Sequence, residues 1–158
     1  MKTAEDILLE KKRDMVTVQP DQTLREALEL MQTHRIGAIL VRRGEKIVGI
    51  WSERDLARDI LASGFDINTG QVGDYMTSKL FTAPYNTPII KLQEMFIGLF
   101  VRHILITRKR ETVGLLSIGD VMRASLLERD LELRKLTARA SWEYYENWGW
   151  ERVYKPPK

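Results

Sequence analysis

A shift of 65 positions lays residues 36–63 on residues 101–128, and nine of those 28 positions are identical. They include Ile39/Ile104, Leu40/Leu105, Val48/Val113, Gly49/Gly114, Ser52/Ser117 and Asp55/Asp120. Upstream, a shift of 64 matches Pro20/Pro84, Thr23/Thr87, Leu28/Leu92 and Met31/Met95. The chain therefore reads as two copies of one unit, with a one-residue length change between the two matching blocks. Self-similarity at such a period means that one supersecondary unit must cover the apolar face of the other.

Each copy carries the same order of patterns. Val16-Thr17-Val18 is a short extended piece ending at Pro20. Thr23 opens a helix with Glu26 three residues later, the signature of a capping box, and Leu24, Ala27, Leu28 and Met31 keep helical spacing. Ala38 to Val41 and Ile47 to Trp51 are strand-length apolar runs around a polar turn, which predicts a hairpin. Ser52 caps a second helix through Leu61. In the second copy Thr87-Pro88 reads as N-cap and first helical position, and Ser117 caps the last helix. The predicted class is α+β. Two β-α-β-β-α repeats, 8–64 and 74–128, pack sheet to sheet with pseudo-two-fold symmetry, and 129–158 form a C-terminal helix and aromatic tail. One three-stranded unit leaves an apolar face bare and cannot stand alone.

The duplicated Gly-x-x-Ser-x-x-Asp carries the chemistry. It runs Gly49 to Asp55 in one copy and Gly114 to Asp120 in the other. Ser-x-x-Asp before a helix is a capping box, and stability alone accounts for one. The same geometry also suits a nucleoside phosphate. Free N–H groups and a serine hydroxyl at a helix start attract phosphate. An aspartate one turn in accepts from both hydroxyls of a ribose, at about 1.5–3 kcal/mol for each bond to a charged group. Gly114 to Gly119 has the glycine spacing of a P-loop, but Asp120 stands where lysine is required.

Other chemistries find little footing. Cysteine is absent, and His34 and His103 are the two histidines, in no metal-binding frame. With 25 basic and 22 acidic residues the net charge is +3, too mild for a nucleic-acid footprint. No apolar run approaches 18 residues and no leader pattern opens the sequence, so no membrane contact is expected and the expected compartment is the cytoplasm. No catalytic constellation can be named, which predicts a protein that is not an enzyme.

The patterns at 17–31, Ile36 to Val41, Gly49 to Leu56 and Arg102 to Met122 together resemble the cystathionine β-synthase (CBS) domain family. The resemblance covers roughly residues 8–128. It implies a stand-alone tandem pair, a disc-like module with two adenosyl-ligand sites in its central cleft, a homodimer, and a regulatory, energy-sensing role. Carried over by residue, Asp55 and Asp120 would hold ribose, and Ser52, Ser117, Arg102 and Arg123 would face phosphate. Val16, Thr17, Val18, Gly37, Ala38, Ile39, Phe81, Thr82, His103 and Ile104 would surround the base. The ligand class implied is AMP, ADP or ATP, with NAD or S-adenosylmethionine ranked behind. The sequence departs from the family where Leu105 replaces a common proline and where Gly119 stands opposite Arg54, so the two sites are expected to be unequal.

Trp142, Tyr144, Tyr145, Trp148, Trp150 and Tyr154 hold six of the 13 aromatics. This tail reads first as a lock between two copies of the module. The alternative is a docking surface for a protein partner. In that second reading the chain is an interaction scaffold and its repeats are inert architecture.

Overall fold

The apolar runs fold into two three-stranded sheets in a computed structural model, which describes residues 1–140 and side chains through residue 136. The first sheet contains β1 (Thr17–Val18), β2 (Ala38–Arg43) and β3 (Lys46–Ser52). The second contains β4 (Thr82–Pro84), β5 (His103–Arg108) and β6 (Glu111–Ser117). In each, the short first strand pairs parallel to the second and the hairpin is antiparallel. The register breaks at Val41/Arg42 in one hairpin and at Ile106/Thr107 in the other, the same place in both. The expected β-α-β-β-α order is present twice, as α2 (Leu24–His34) and α3 (Glu53–Asp59) in the first unit and α5 (Ile89–Leu99) and α6 (Ile118–Ala140) in the second.

Two further helices were not expected, α1 (Ala4–Lys11) and α4 (Val72–Tyr75). Thr3 and Asp6 form a capping box that starts α1. Each precedes one repeat and packs on the other. Ala4 and Ile7 of α1 are buried with Ile104, Ile106 and Leu116 of the second sheet, and Ala4 N–H donates to the Thr87 carbonyl at 2.9 Å. Val72 of α4 is buried with Ile39, Val41 and Trp51 of the first sheet, and its N–H donates to the Gln22 carbonyl at 2.9 Å. Gly49 and Gly114 make this exchange possible. A Cβ at Gly49 would lie 2.3 Å from Met76 Sδ, and one at Gly114 would lie 2.5 Å from Leu8 Cδ2.

The helix register corrects one expectation. Thr87 is not the N-cap of α5; Pro88 is, with an extended ψ of 148° and no side-chain cap bond. α5 therefore starts 65 residues after α2, and Ala27/Leu92 and Met31/Phe96 are the matching buried pairs. The shift of 65 runs unbroken from β1 onward, since Thr17 faces Leu40 and Thr82 faces Leu105. The last helix runs without interruption from the second repeat to Ala140. The aromatic tail, 141–158, lies outside the described residues. No helix among the described residues is long and apolar enough to cross a membrane.

Candidate functional site

Strand alternation sorts the central residues onto two faces. Ile39, Val41, Ile104 and Ile106 point into the core of their own repeat. Ala38, Leu40, His103 and Leu105 point the other way, into the space between the two sheets, together with Ile50 and Leu115. Clefts open at the two ends of that space. Each draws its strand residues from one repeat and meets the β3 or β6 end of the other.

One cleft is a cavity of about 260 Å³. The first repeat supplies Ile50, Ser52, Arg54 and Asp55; the second supplies Leu80, Phe81, Arg102, His103 and Leu105. Ser52 ends β3, and its extended backbone turns the chain into α3. Its N–H and hydroxyl both donate to Asp55 Oδ2 at 2.9 Å, while Asp55 N–H donates back to Ser52 Oγ at 3.3 Å. Asp55 Oδ1 has the guanidinium of Arg58 at 3.4 Å, but that arginine is largely exposed and donates from both Nε and Nη2 to Asp59 Oδ1. One oxygen of the carboxylate is thus committed to the helix start and the other is open to further donors.

The opposite cleft is divided. A cavity of about 550 Å³ lies over Val16, Thr17, Ala38 and Leu40 and is closed at its far side by Leu115. Asp120 does not line it. Asp120 sits in a separate cavity of about 330 Å³ with Ile7, Glu10 and Arg123. Lys11 and Arg13 line both. The Lys11 ammonium donates to Asp120 Oδ2 at 2.8 Å and to the Leu115 carbonyl at 3.1 Å. Ser117 N–H and Oγ reach the same carboxylate oxygen at 2.8 Å. Burial pushes the Asp120 carboxyl upward, but the Lys11 ammonium and the two Ser117 donors outweigh it, and the net shift is downward. Between the clefts, burial and the nearby Lys11 charge push His103 below its ordinary value.

The expected site residues divide accordingly. Ser52, Asp55, Arg102, Phe81 and His103 come together around one cavity. Val16, Thr17 and Ala38 line another, while Ser117 and Arg123 stay with Asp120. The side chains of Val18, Ile39 and Ile104 do not face a cleft: they are 0–2% exposed and belong to the cores, because each is out of phase with its cleft-facing neighbour. Thr82 is exposed on β4, and Gly37 uses its carbonyl to accept from Glu53 N–H at 3.0 Å. Arg58 pairs with Asp55 and Asp59. Lys11, Arg13 and Lys79 were missed. Lys11 and Lys79 stand in two segments, 3–11 and 71–79, that align with Asp6 on Asp74 and Leu8 on Met76. That match was the available signal.

A family model described as the CBS domain matches residues 4–62 and again 72–127. The CBS domain-containing protein CBSX3, mitochondrial, of Arabidopsis thaliana is 35% identical over 123 residues, which are 75% of this chain and 60% of that protein. This chain thus spans under two thirds of that relative. The crystal structure of a CBS-domain protein from Agrobacterium tumefaciens superposes with a TM-score of 0.73 at 32% identity, covering 78% of this chain and 99% of that one. A CBS-domain protein from Pyrobaculum aerophilum, complexed with AMP, gives a TM-score of 0.68 at 28% identity over 80% of this chain and 97% of its own.

Proposed function

The chain belongs to the CBS-domain family, and from that premise we propose a regulatory module that binds an adenosine nucleotide between its repeats. The observation that carries this reading is the continuous cavity at Asp55. It offers a carboxylate oxygen for a ribose diol, apolar walls at Ile50, Phe81 and Leu105 for a base, and cationic side chains at the rim. The AMP-bound Pyrobaculum protein supports a nucleotide as the ligand class. Ser52 contributes through its remaining lone pair, since its proton and one lone pair are used by Asp55. Because the walls come from both repeats, a ligand that prefers one packing of the sheets biases the module toward it. A second copy or another protein would read that change, which gives the module a role in binding and signalling and none in turnover.

Calorimetric titration with AMP, ADP, ATP, NAD and S-adenosylmethionine tests this, on the full chain and on Asp55→Ala and Asp120→Ala. Binding below millimolar to at least one, weakened tenfold or more by Asp55→Ala, is the expected result. No binding by any ligand, or equal binding by both variants, removes the site. The scaffold reading draws on the exposed leucines of α6, Leu126, Leu127 and Leu131. Deleting 141–158 separates the two. Lost assembly with intact nucleotide affinity favours the scaffold.

A further inference from the structure

The two clefts are copies by sequence, yet one is open and the other is partitioned. The cause is the length of the exchanged helices. α1 runs from Ala4 to Lys11, and at its end Lys12 adopts φ 47° and returns its N–H to the Leu8 carbonyl. That geometry delivers Lys11 to the Asp120 carboxylate. α4 stops at Tyr75; Met76 is extended and Thr77 bridges to Ile50 of β3. The matching lysine, Lys79, is therefore carried past the helix start and lies 5.8 Å over the Phe81 ring. No ammonium sits on Asp55.

Two consequences follow for a ligand that needs strand residues and carboxylate at once. At the Asp55 end both line one cavity. At the Asp120 end they line two, and Lys11 is the shared wall. The charge at the open end is also unbalanced. Arg54, Lys79 and Arg102 surround that cavity, and none of the three has an ion-pair partner among the described residues. Three cations face one carboxylate there. They repel one another until an anion arrives, and a chain of phosphates neutralises them better than one phosphate does. An adenosyl sulfonium adds a positive charge to the same ring.

We infer that this chain has a single competent nucleotide site, at Asp55, that it selects a nucleoside di- or triphosphate, and that Lys11 closes the Asp120 cleft. The inference rests on the nucleotide-binding reading above and adds the ligand class and stoichiometry. The nucleoside occupies the cavity, and the phosphates extend along Arg54, Lys79 and Arg102. Lys11 acts as a built-in occupant of the second cleft.

Calorimetry on the full chain with ATP, AMP and adenosine tests it, at two salt concentrations and without divalent cations. One site per chain is expected, with ATP at least tenfold tighter than AMP, adenosine weakest, and the ATP advantage shrinking in high salt. Lys11→Met should add a second site, whereas Lys11→Arg keeps the ion pair and should leave one. Arg102→Gln should weaken ATP several-fold and leave adenosine unchanged. Two equal sites in the unmodified chain, AMP binding as tightly as ATP, or a Lys11→Met protein with native circular dichroism and still one site would each overturn the inference. These outcomes leave the nucleotide-binding reading standing. Absence of binding by all three ligands would remove both. Stoichiometry and ligand order in the unmodified chain decide the matter even if a Lys11 variant fails to fold.

Discussion

Asp59 is a buried carboxylate, 7% exposed, and its position explains why Trp51 can be wholly buried. The indole N–H donates to Asp59 Oδ2 at 3.0 Å, while Oδ1 takes Arg58 from the solvent side. Asp59→Ala would leave a buried donor without an acceptor, a penalty of about 1–3 kcal/mol. Urea unfolding should show it as a lower midpoint with an unchanged slope. His103 tests the electrostatics between the clefts. Its folded-state proton affinity is depressed by burial first and by Lys11 second. The unfolded chain therefore takes up a proton near pH 6.5 that the folded chain refuses until the pH drops below its lowered value. Stability should fall as pH falls through that window, and His103→Asn should flatten the loss between pH 7.5 and 5.5. An identical pH profile for the variant would show that His103 is not the group responsible. Asp120 works in a separate range. Its stabilising charge is present above the ordinary carboxylate value and is lost only at still lower pH.

At the scale of elements, much of the fold was legible. Capping boxes at Thr23, Ser52 and Ser117 mark the starts of three helices in the sequence, and the alternating strands mark two hairpins. What stayed hidden was partnership across the chain. Ile7 is buried against the second sheet and Leu8 packs over Gly114, in a groove contributed by residues about a hundred positions away, so nothing near α1 in sequence shows what these side chains meet. Thr87 looked like a cap because Thr-Pro has the right composition. Yet Pro88 itself holds the extended backbone. In the site, carboxylates and serines could be read from spacing; the match of 3–11 on 71–79 marks Lys11 and Lys79 as equivalent, but the different roles they take depend on where each exchanged helix ends and could not be read. Gly114→Ala should cost about 1–3 kcal/mol by overpacking Leu8, and Leu8→Ala in the same chain should recover part of that loss. If the two losses simply add, α1 does not dock through that contact. The second hairpin offers the opposite sign. Its turn residues Lys109 and Arg110 have φ of 49° and 70°, where the first hairpin uses Gly44 at 59°. Left-handed backbone costs roughly 1–2 kcal/mol per ordinary residue. Lys109→Asn with Arg110→Gly should therefore stabilise the chain by about 1 kcal/mol or more, read as a raised urea midpoint.

For the whole molecule, the exposed apolar surface is the feature that two covered sheets do not explain. Met122, Leu126, Leu127, Leu131 and Leu136 are 46–63% exposed on one helix, and Ile97 and Phe100 are 69% and 93% exposed on and beside α5, which packs against it. Scattered leucines need no explanation, but these flank the buried stripe of α6 on both sides, Met122 toward Gln93 of α5 and Leu127 toward Ile7 and Glu10 of α1, and apolar rows of that length point to a covered interface. The expected cover is a second copy, because a two-fold axis lets one patch meet itself without a new complementary surface. Sedimentation of the full chain should therefore give a dimer at micromolar concentration. Leu127→Lys with Leu131→Lys should give monomers of unchanged secondary structure, since neither side chain belongs to a core. The cavity at Asp55 lies between the sheets of one chain, so under the proposed function those monomers should still bind a nucleotide there, with the coupling between ligand and assembly gone. If the double variant stays dimeric and removal of 141–158 yields monomers, the tail carries the interface and α6 only leads to it. If the unmodified chain is monomeric at high micromolar concentration, the leucine patch serves another partner and assembly has no part in how the bound nucleotide is read.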